Sequence, residues 1–215
     1  MIAFRMSSLL DAERRLWNQG YERIAGIDEA GRGCLAGPVV AAAVILPPGV
    51  SIPGIRDSKS LSEKQRLEVR EEIEAKALSV SVGICSPQEI DALNILWAAM
   101  KAMRRAATDC MPAPDFLLVD GDRCFKHSPW PVETLVKGDT RSQSIAAASI
   151  VAKTERDAMM RRLHEEHPEY GWCTNVGYPT KAHYEALERH GPTPYHRRSF
   201  RLSRKNGRMD ARKKG

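Results

Sequence analysis

The sequence has no long apolar run. The longest, residues 38–48 (PVVAAAVILPP), closes on two prolines and falls well short of the ~20 residues that a membrane-spanning helix needs, so no such helix and no membrane association are expected. The opening MIAFRMSSLLDAERR places Asp11 and Glu13 where a signal peptide requires an apolar stretch, which makes a cytoplasmic location the expectation. Cysteine is sparse: five residues, at 34, 85, 110, 124 and 173, give an odd number with no CxxC pair. That pattern argues against a zinc knuckle and against a disulfide framework, and predicts reduced, structural thiols. Aromatics are 6% of the chain, and its glycines and prolines are dispersed, so neither global disorder nor a collagen-like repeat fits. The six histidines form no HxxxH pair and there is no GxSxG elbow, which leaves nucleophilic serine or cysteine catalysis without support.

What is present is a 215-residue chain with 42% hydrophobic and 28% charged residues, enough for one sizeable domain with its own core. Its net charge of +6 is unevenly placed: residues 197–215 hold nine basic side chains against Asp210 alone. The rest of the chain is slightly acidic. A polycationic end gains affinity for a polyanion by releasing condensed counterions, which points to nucleic acid; a solvated end that only aids solubility is the alternative.

Hydrophobic spacing predicts a polar helix over 8–21, a short strand over 23–28 (RIAGID), a glycine-rich loop over 30–37 and a second strand over 39–46 that is apolar on both faces. Ser62 is placed to cap a helix on which Leu67, Val69 or Arg70, Ile73 and Ala77 recur at helical intervals. Residues 79–85 alternate as a strand, and one helix is expected from Pro87 to Thr108. Residues 115–120 (DFLLVD) and 132–136 (VETLV) read as further strands. A long helix over 142–166 begins with small side chains (SIAAASIVA) and so can lie close against a sheet; a short helix follows over 181–189. A hairpin followed by alternating helices and strands implies an α/β fold, a central mixed β-sheet flanked by helices with a small helical C-terminal segment, in which sites gather at strand ends.

Acids stand at those ends. Asp28 and Glu29 close the first strand, Asp120 closes FLLVD, and Asp139 follows VETLVK. A lone strand-terminal aspartate is usually a turn former, but acids converging from several strands are hard oxygen ligands suited to Mg²⁺ or Mn²⁺. The loop Gly31-Arg32-Gly33 beside them permits close backbone approach to a phosphate, and Lys59 in Asp57-Ser58-Lys59 is placed to reach another. Tyr170, Trp172, Tyr178, Tyr184, Tyr195 and Phe200 interleave with Lys181, His183, Arg197 and Arg198, a mixture suited to stacking on sugars or bases.

These motifs together resemble the ribonuclease HII family, the type 2 ribonucleases H. The matching stretches are GIDEAGRGCLAGP at 26–38, DSKSL at 57–61, VDG at 119–121, KGD at 137–139, SIAAASIVAK at 144–153 with Arg156-Asp157, and GYPT at 177–180 with His183. The related type 3 enzymes carry a substantial extra N-terminal domain, whereas only about 25 residues precede the first motif here.

The resemblance implies a ribonuclease H-like fold spanning 1–215 as one domain, with 1–25 as an N-terminal helical extension, 168–200 as a substrate-contacting segment and 201–215 as a basic tail. It implies catalytic, metal-holding carboxylates at Asp28, Glu29, Asp120 and Asp139, with Asp157 as a rival for the fourth place, read instead as part of a helix-surface ion pair. Two divalent ions, Mn²⁺ or Mg²⁺, would activate water and stabilise the leaving 3′ oxygen, giving 5′-phosphate and 3′-hydroxyl ends. The implied substrates are RNA:DNA hybrids and duplex DNA containing a ribonucleotide, cut on its 5′ side, in removal of ribonucleotides and RNA primers from DNA. Gly31, Arg32, Gly33 and Tyr178 would sense the 2′-hydroxyl, while Lys59 and the 197–214 stretch hold phosphates. A monomer is expected, with a replication protein as a candidate partner for the tail. The alternatives are a DNA nuclease or strand-transfer enzyme of the same fold, or a non-catalytic nucleic-acid binding protein.

Overall fold

A computed structural model describes residues 9–55 and 61–203. Strands β1 (Ile24–Ala30), β2 (Val39–Ile45), β3 (Ser79–Cys85), β4 (Phe116–Asp120) and β5 (Val132–Leu135) form one mixed sheet in the order β3-β2-β1-β4-β5. The hairpin β1–β2 and the pair β2–β3 are antiparallel; β1–β4 and β4–β5 are parallel. β1 is therefore central, and its acids are carried on the middle strand of the sheet.

Helices cover both faces. Helix α4 (Ile95–Thr108) packs Ala98, Ala102, Met103 and Ala106 against Ile27, Ala41, Ala43 and Val119 on one face. Helix α5 (Gln143–Glu166) lays Ala146, Ala147, Ile150 and Val151 against Ala42 and Val44 on the other. Two glycines admit the helices so closely: a Cβ at Gly26 would stand 2.0 Å from the Ser144 carbonyl carbon, and one at Gly83 2.0 Å from the Ala102 carbonyl oxygen. The small-residue opening of α5 thus has its counterpart in the strand beneath it.

Helix α1 (Asp11–Trp17) is shorter than the predicted 8–21 and is pinned by Leu16 to a cluster of Ile24, Leu118 and Ile145. It also ends α5: Glu13, 1% exposed, accepts through Oε1 from Ser142 Oγ at 2.7 Å and from the Ser144 amide at 2.9 Å, placing a carboxylate at the positive end of the helix dipole. Helix α2 (Glu63–Lys76) starts at the predicted Ser62 with a full capping box; Ile73 is buried, but Leu67 is exposed.

The helix expected over 87–108 is broken into α3 (Pro87–Leu93) and α4. Asn94 adopts φ 64°, a region asparagine tolerates, and its Oδ1 accepts from the Leu96 and Trp97 amides at 3.0 and 3.2 Å, restarting the chain as a new helix. Trp97 leaves the core in consequence, 43% exposed with Lys126 5.7 Å from its ring centre. Helices α6 (Trp172–Asn175) and α7 (Lys181–His190) form the C-terminal segment around Tyr170, Trp172 and Leu187, so most of its aromatics serve packing. Cys34, Cys85 and Cys110 are buried free thiols, whereas Cys173 is exposed and has no packing role. No helix of the described residues is long and apolar enough to cross a membrane.

Candidate active site

Ile27 pairs with Val119 across the parallel strands, so Asp28 and Asp120 are the next residues on two adjacent strands. β1 runs on through Ala30, so Asp28 and Glu29 lie within the strand and not at its end as the sequence predicts. Strand alternation turns Asp28 and Asp120 toward α5, where the Ser149 hydroxyl bonds Asp28, and turns Glu29 the other way.

Asp28 is 7% exposed. Burial holds its carboxyl well above the usual range, reinforced by the charges of Glu29 and Asp120; the bonds from Ser149 and from the Glu29 amide, at 2.7 Å, work against this. Burial raises Glu29 too, opposed by Arg32, whose Nη1 donates to Oε1 at 2.9 Å. Asp120 Oδ1 accepts from the Gly138 amide at 2.6 Å, which ties it to the 3₁₀ turn Gly138–Thr140 carrying Asp139, 6% exposed.

Asp28 and Glu29, whose ionisation burial opposes, call for a counter-charge, and an all-oxygen donor set suits a hard divalent cation. Among the described residues no three His, Cys, Asp or Glu side chains already form a closed ligand group. Glu29 is engaged by Arg32 and Asp120 by the Gly138 amide, and a cation would compete with both. In the chemistry of their donor atoms the residues fit such an ion.

Beside the acids, the loop from Gly31 to Pro38 is fixed from beneath. Arg156 donates to the carbonyls of Ala36, Pro38 and Val176, and Arg197 to those of Gly31, Arg32, Gly37 and Pro38, at 2.7–3.1 Å. Both guanidiniums are buried, at 1% and 0% exposure. This corrects the sequence reading of Arg197 as part of a phosphate-holding stretch: it belongs to the interior, and burial pulls it down to about 10. Arg198 remains exposed. Gly31 has φ +94° and a Cβ there would stand 2.0 Å from Arg156 Nε, so only glycine fits over that cation.

Two clefts flank Glu29. One of about 340 Å³ runs past Arg66, Ser149 and Lys153 to Tyr178, which is 43% exposed. The other, about 300 Å³, lies between Asp120, Arg123 and an apolar floor of Leu96, Met100 and Met103. Lys59 lies outside the described residues. Asp157 forms the expected ion pair, with Lys153 at 2.6 Å, but at 8% exposure it is buried and not on the helix surface. Sequence reading missed Ser149 and the cleft cations Arg66 and Lys153. A helical-wheel register would find Ser149 and Lys153, four apart on one face of α5.

The ribonuclease HII family profile matches residues 25–203. Ribonuclease HII of Salinibacter ruber is 66% identical over 199 residues, 91% of this chain and 100% of that protein. In three dimensions, ribonuclease H2 of Pyrococcus horikoshii superposes with a TM-score of 0.72 at 25% identity, over 84% of this chain and 95% of that one. The ribonuclease HII of Archaeoglobus fulgidus, solved in complex with PCNA, gives 0.71 at 28% identity, over 85% and 97%. The sheet and its flanking helices are those of the ribonuclease H-like fold.

Proposed function

The chain belongs to the ribonuclease HII family, and from that membership we propose how its residues carry the reaction. It is an endoribonuclease acting on RNA:DNA hybrids, dependent on divalent metal. We infer that Asp28, Glu29, Asp120 and Asp139 would hold two such ions, Mn²⁺ or Mg²⁺, which when bound would supply Lewis-acid catalysis to phosphodiester hydrolysis. Asp28, flanked by Glu29 and Asp120, would be the central carboxylate of the set. Asp139 completes the set from the turn fixed to Asp120.

Gly31 and Gly33 lie in the loop whose Gly31 and Arg32 carbonyls accept from buried Arg197, and their amides would take a ribose hydroxyl and its phosphate. Arg32 contributes a charge beside Glu29, and Tyr178 stands across the cleft to stack on the sugar. The activity includes incision on the 5′ side of a ribonucleotide embedded in duplex DNA, leaving 5′-phosphate and 3′-hydroxyl ends and serving removal of ribonucleotides and primers. We further propose a monomer in the cytoplasm, one domain over 1–215, with phosphate contacts from Lys59 and the residues after Phe200. The PCNA complex of the Archaeoglobus relative supports a replication protein as partner.

One observation carries this reading: Asp28 and Asp120 occupy successive positions beyond a paired Ile27–Val119 rung, with burial and the charges of Glu29 and Asp120 opposing the ionisation of Asp28. Hybrid binding and cleavage are measured side by side for Asp28→Asn and Asp120→Asn. Binding retained with cleavage lost is expected; cleavage retained in both contradicts the assignment.

A further inference from the structure

The C-terminal segment contains a buried polar chain that neither the acids nor the loop amides use. His183 on α7 and His196 are 0% and 1% exposed, and their Nε2 atoms are 3.0 Å apart. Trp172 Nε1 donates to His183 Nε2 at 3.2 Å, and the Thr193 amide donates to His196 Nδ1 at 3.0 Å. His183 Nδ1 lies 2.9 Å from the Tyr178 carbonyl oxygen.

Proton accounting leaves one arrangement. An amide or indole N–H can only donate, so His196 Nδ1 is an acceptor and its proton sits on Nε2. His183 Nε2 accepts from both Trp172 and His196, which puts the His183 proton on Nδ1, aimed at a carbonyl that can only accept. The constraints at the ends of the chain agree. Both rings are neutral, and any other arrangement sets two N–H groups or two lone pairs face to face in a dry interior. Burial keeps the pair neutral: it holds His183 below its ordinary value and, with His183, His167 and Arg198 nearby, brings His196 down to about 3.

This chain of bonds ends on the main chain of Tyr178, whose ring stands in the cleft beside Glu29. Tyr178 follows Gly177, whose carbonyl accepts from the Leu35 amide at 2.8 Å, and precedes Pro179, which has no N–H. The peptide plane between Tyr178 and Pro179 is therefore set by what its carbonyl accepts: the Thr180 amide at 2.8 Å and His183.

We propose that His183, held in one tautomer by His196 and Trp172, is a positioning residue for Tyr178 and thereby a determinant of ribonucleotide recognition. The proposal rests on the reading of Tyr178 as a ribose-sensing residue.

The test is a double-mutant cycle on incision of a DNA duplex carrying one ribonucleotide, using wild type, Tyr178→Ala, His183→Gln and the double variant. Glutamine reaches the Nε2 position but places no donor at Nδ1; asparagine places an amide N–H there. His183→Gln is expected to lower kcat/KM about tenfold, the scale of a sub-ångström misplacement. It should cause no further loss once Tyr178 is alanine, and His183→Asn should recover most of the wild-type rate. An equal loss from His183→Gln with and without the tyrosine ring overturns the proposal, as does an equal loss in the Asn and Gln variants. An unchanged rate in Tyr178→Ala removes the reading of Tyr178 itself, and the proposal with it, while leaving the nuclease assignment intact. If His183→Gln does not fold by urea denaturation, His196→Asn takes its place with the same expectation: it can still accept from Thr193 but cannot donate to His183.

Discussion

Arg197 and Arg32 meet at one backbone carbonyl: the buried guanidinium of Arg197 donates through Nη1 to the Arg32 oxygen at 3.0 Å, while Arg32's own side chain extends to Glu29 at 2.9 Å. One arginine fixes the main chain of the loop from below, and the other joins that loop to the acids.

Removing the lower one should be expensive. Arg197→Met leaves the carbonyls of Gly31 and Gly37 buried without this donor, at ~1–3 kcal/mol for each unsatisfied group. A loss of at least ~2 kcal/mol in urea denaturation is expected. Arg197→Lys should restore only part of it, since a point charge cannot span carbonyls that a planar fork reaches. A loss below ~1 kcal/mol for Arg197→Met would show that the loop does not depend on this cation.

Asp28→Asn should raise stability while removing activity. The folded-state pKa of Asp28 is raised, so its contribution is fully present below the unfolded value, near 3.8, and is lost as pH rises through the folded value. With chelator present, the variant is therefore expected to melt higher than wild type at pH 7, and the difference should shrink toward pH 4. Cleavage falls by ~10³-fold or more, the rate equivalent of several kcal/mol of lost charge stabilisation. An equal or lower melting temperature at pH 7 would contradict the burial account of Asp28.

Glu13→Ala uncaps α5 from another helix. Ser142 Oγ and the Ser144 amide lose their acceptor at the N-terminus of the helix that underlies Asp28 and follows Asp139. Destabilisation of ~1–2 kcal/mol is expected from chemical denaturation, with Glu13→Gln closer to wild type.

Deleting residues 201–215 removes seven basic side chains. Affinity for a hybrid should fall, and the plot of log affinity against log salt should flatten. An unchanged slope would place the substrate contacts elsewhere.

The architecture was largely legible because its signals are local. Apolar runs at β1, β2 and β4, the Ser62 cap and the small-residue opening of α5 each specify their element without help from the rest of the chain. What escaped depends on tertiary context. Asn94 breaks a helix whose hydrophobic spacing runs through the break. Arg197 reads as one more cation in a basic stretch, because nothing in its neighbours reveals the carbonyls of residues 31–38 gathered around it. The acids are legible as residues near strand ends, although Asp28 and Glu29 lie within β1; of their partners, Arg32 is local, whereas Ser149 and Gly138 reach Asp28 and Asp120 from other elements. His183 appears in the sequence as part of a motif; only the contact with His196 thirteen residues later shows what its ring holds.

The most direct test is incision of a DNA duplex carrying a single ribonucleotide, with Mn²⁺ or Mg²⁺ and with chelator, beside an all-DNA duplex and the Asp28→Asn variant. Metal-dependent nicking on the 5′ side of the ribonucleotide, absent from both controls, is predicted. Cutting of the all-DNA duplex at a similar rate, or unchanged nicking by Asp28→Asn, would contradict the account.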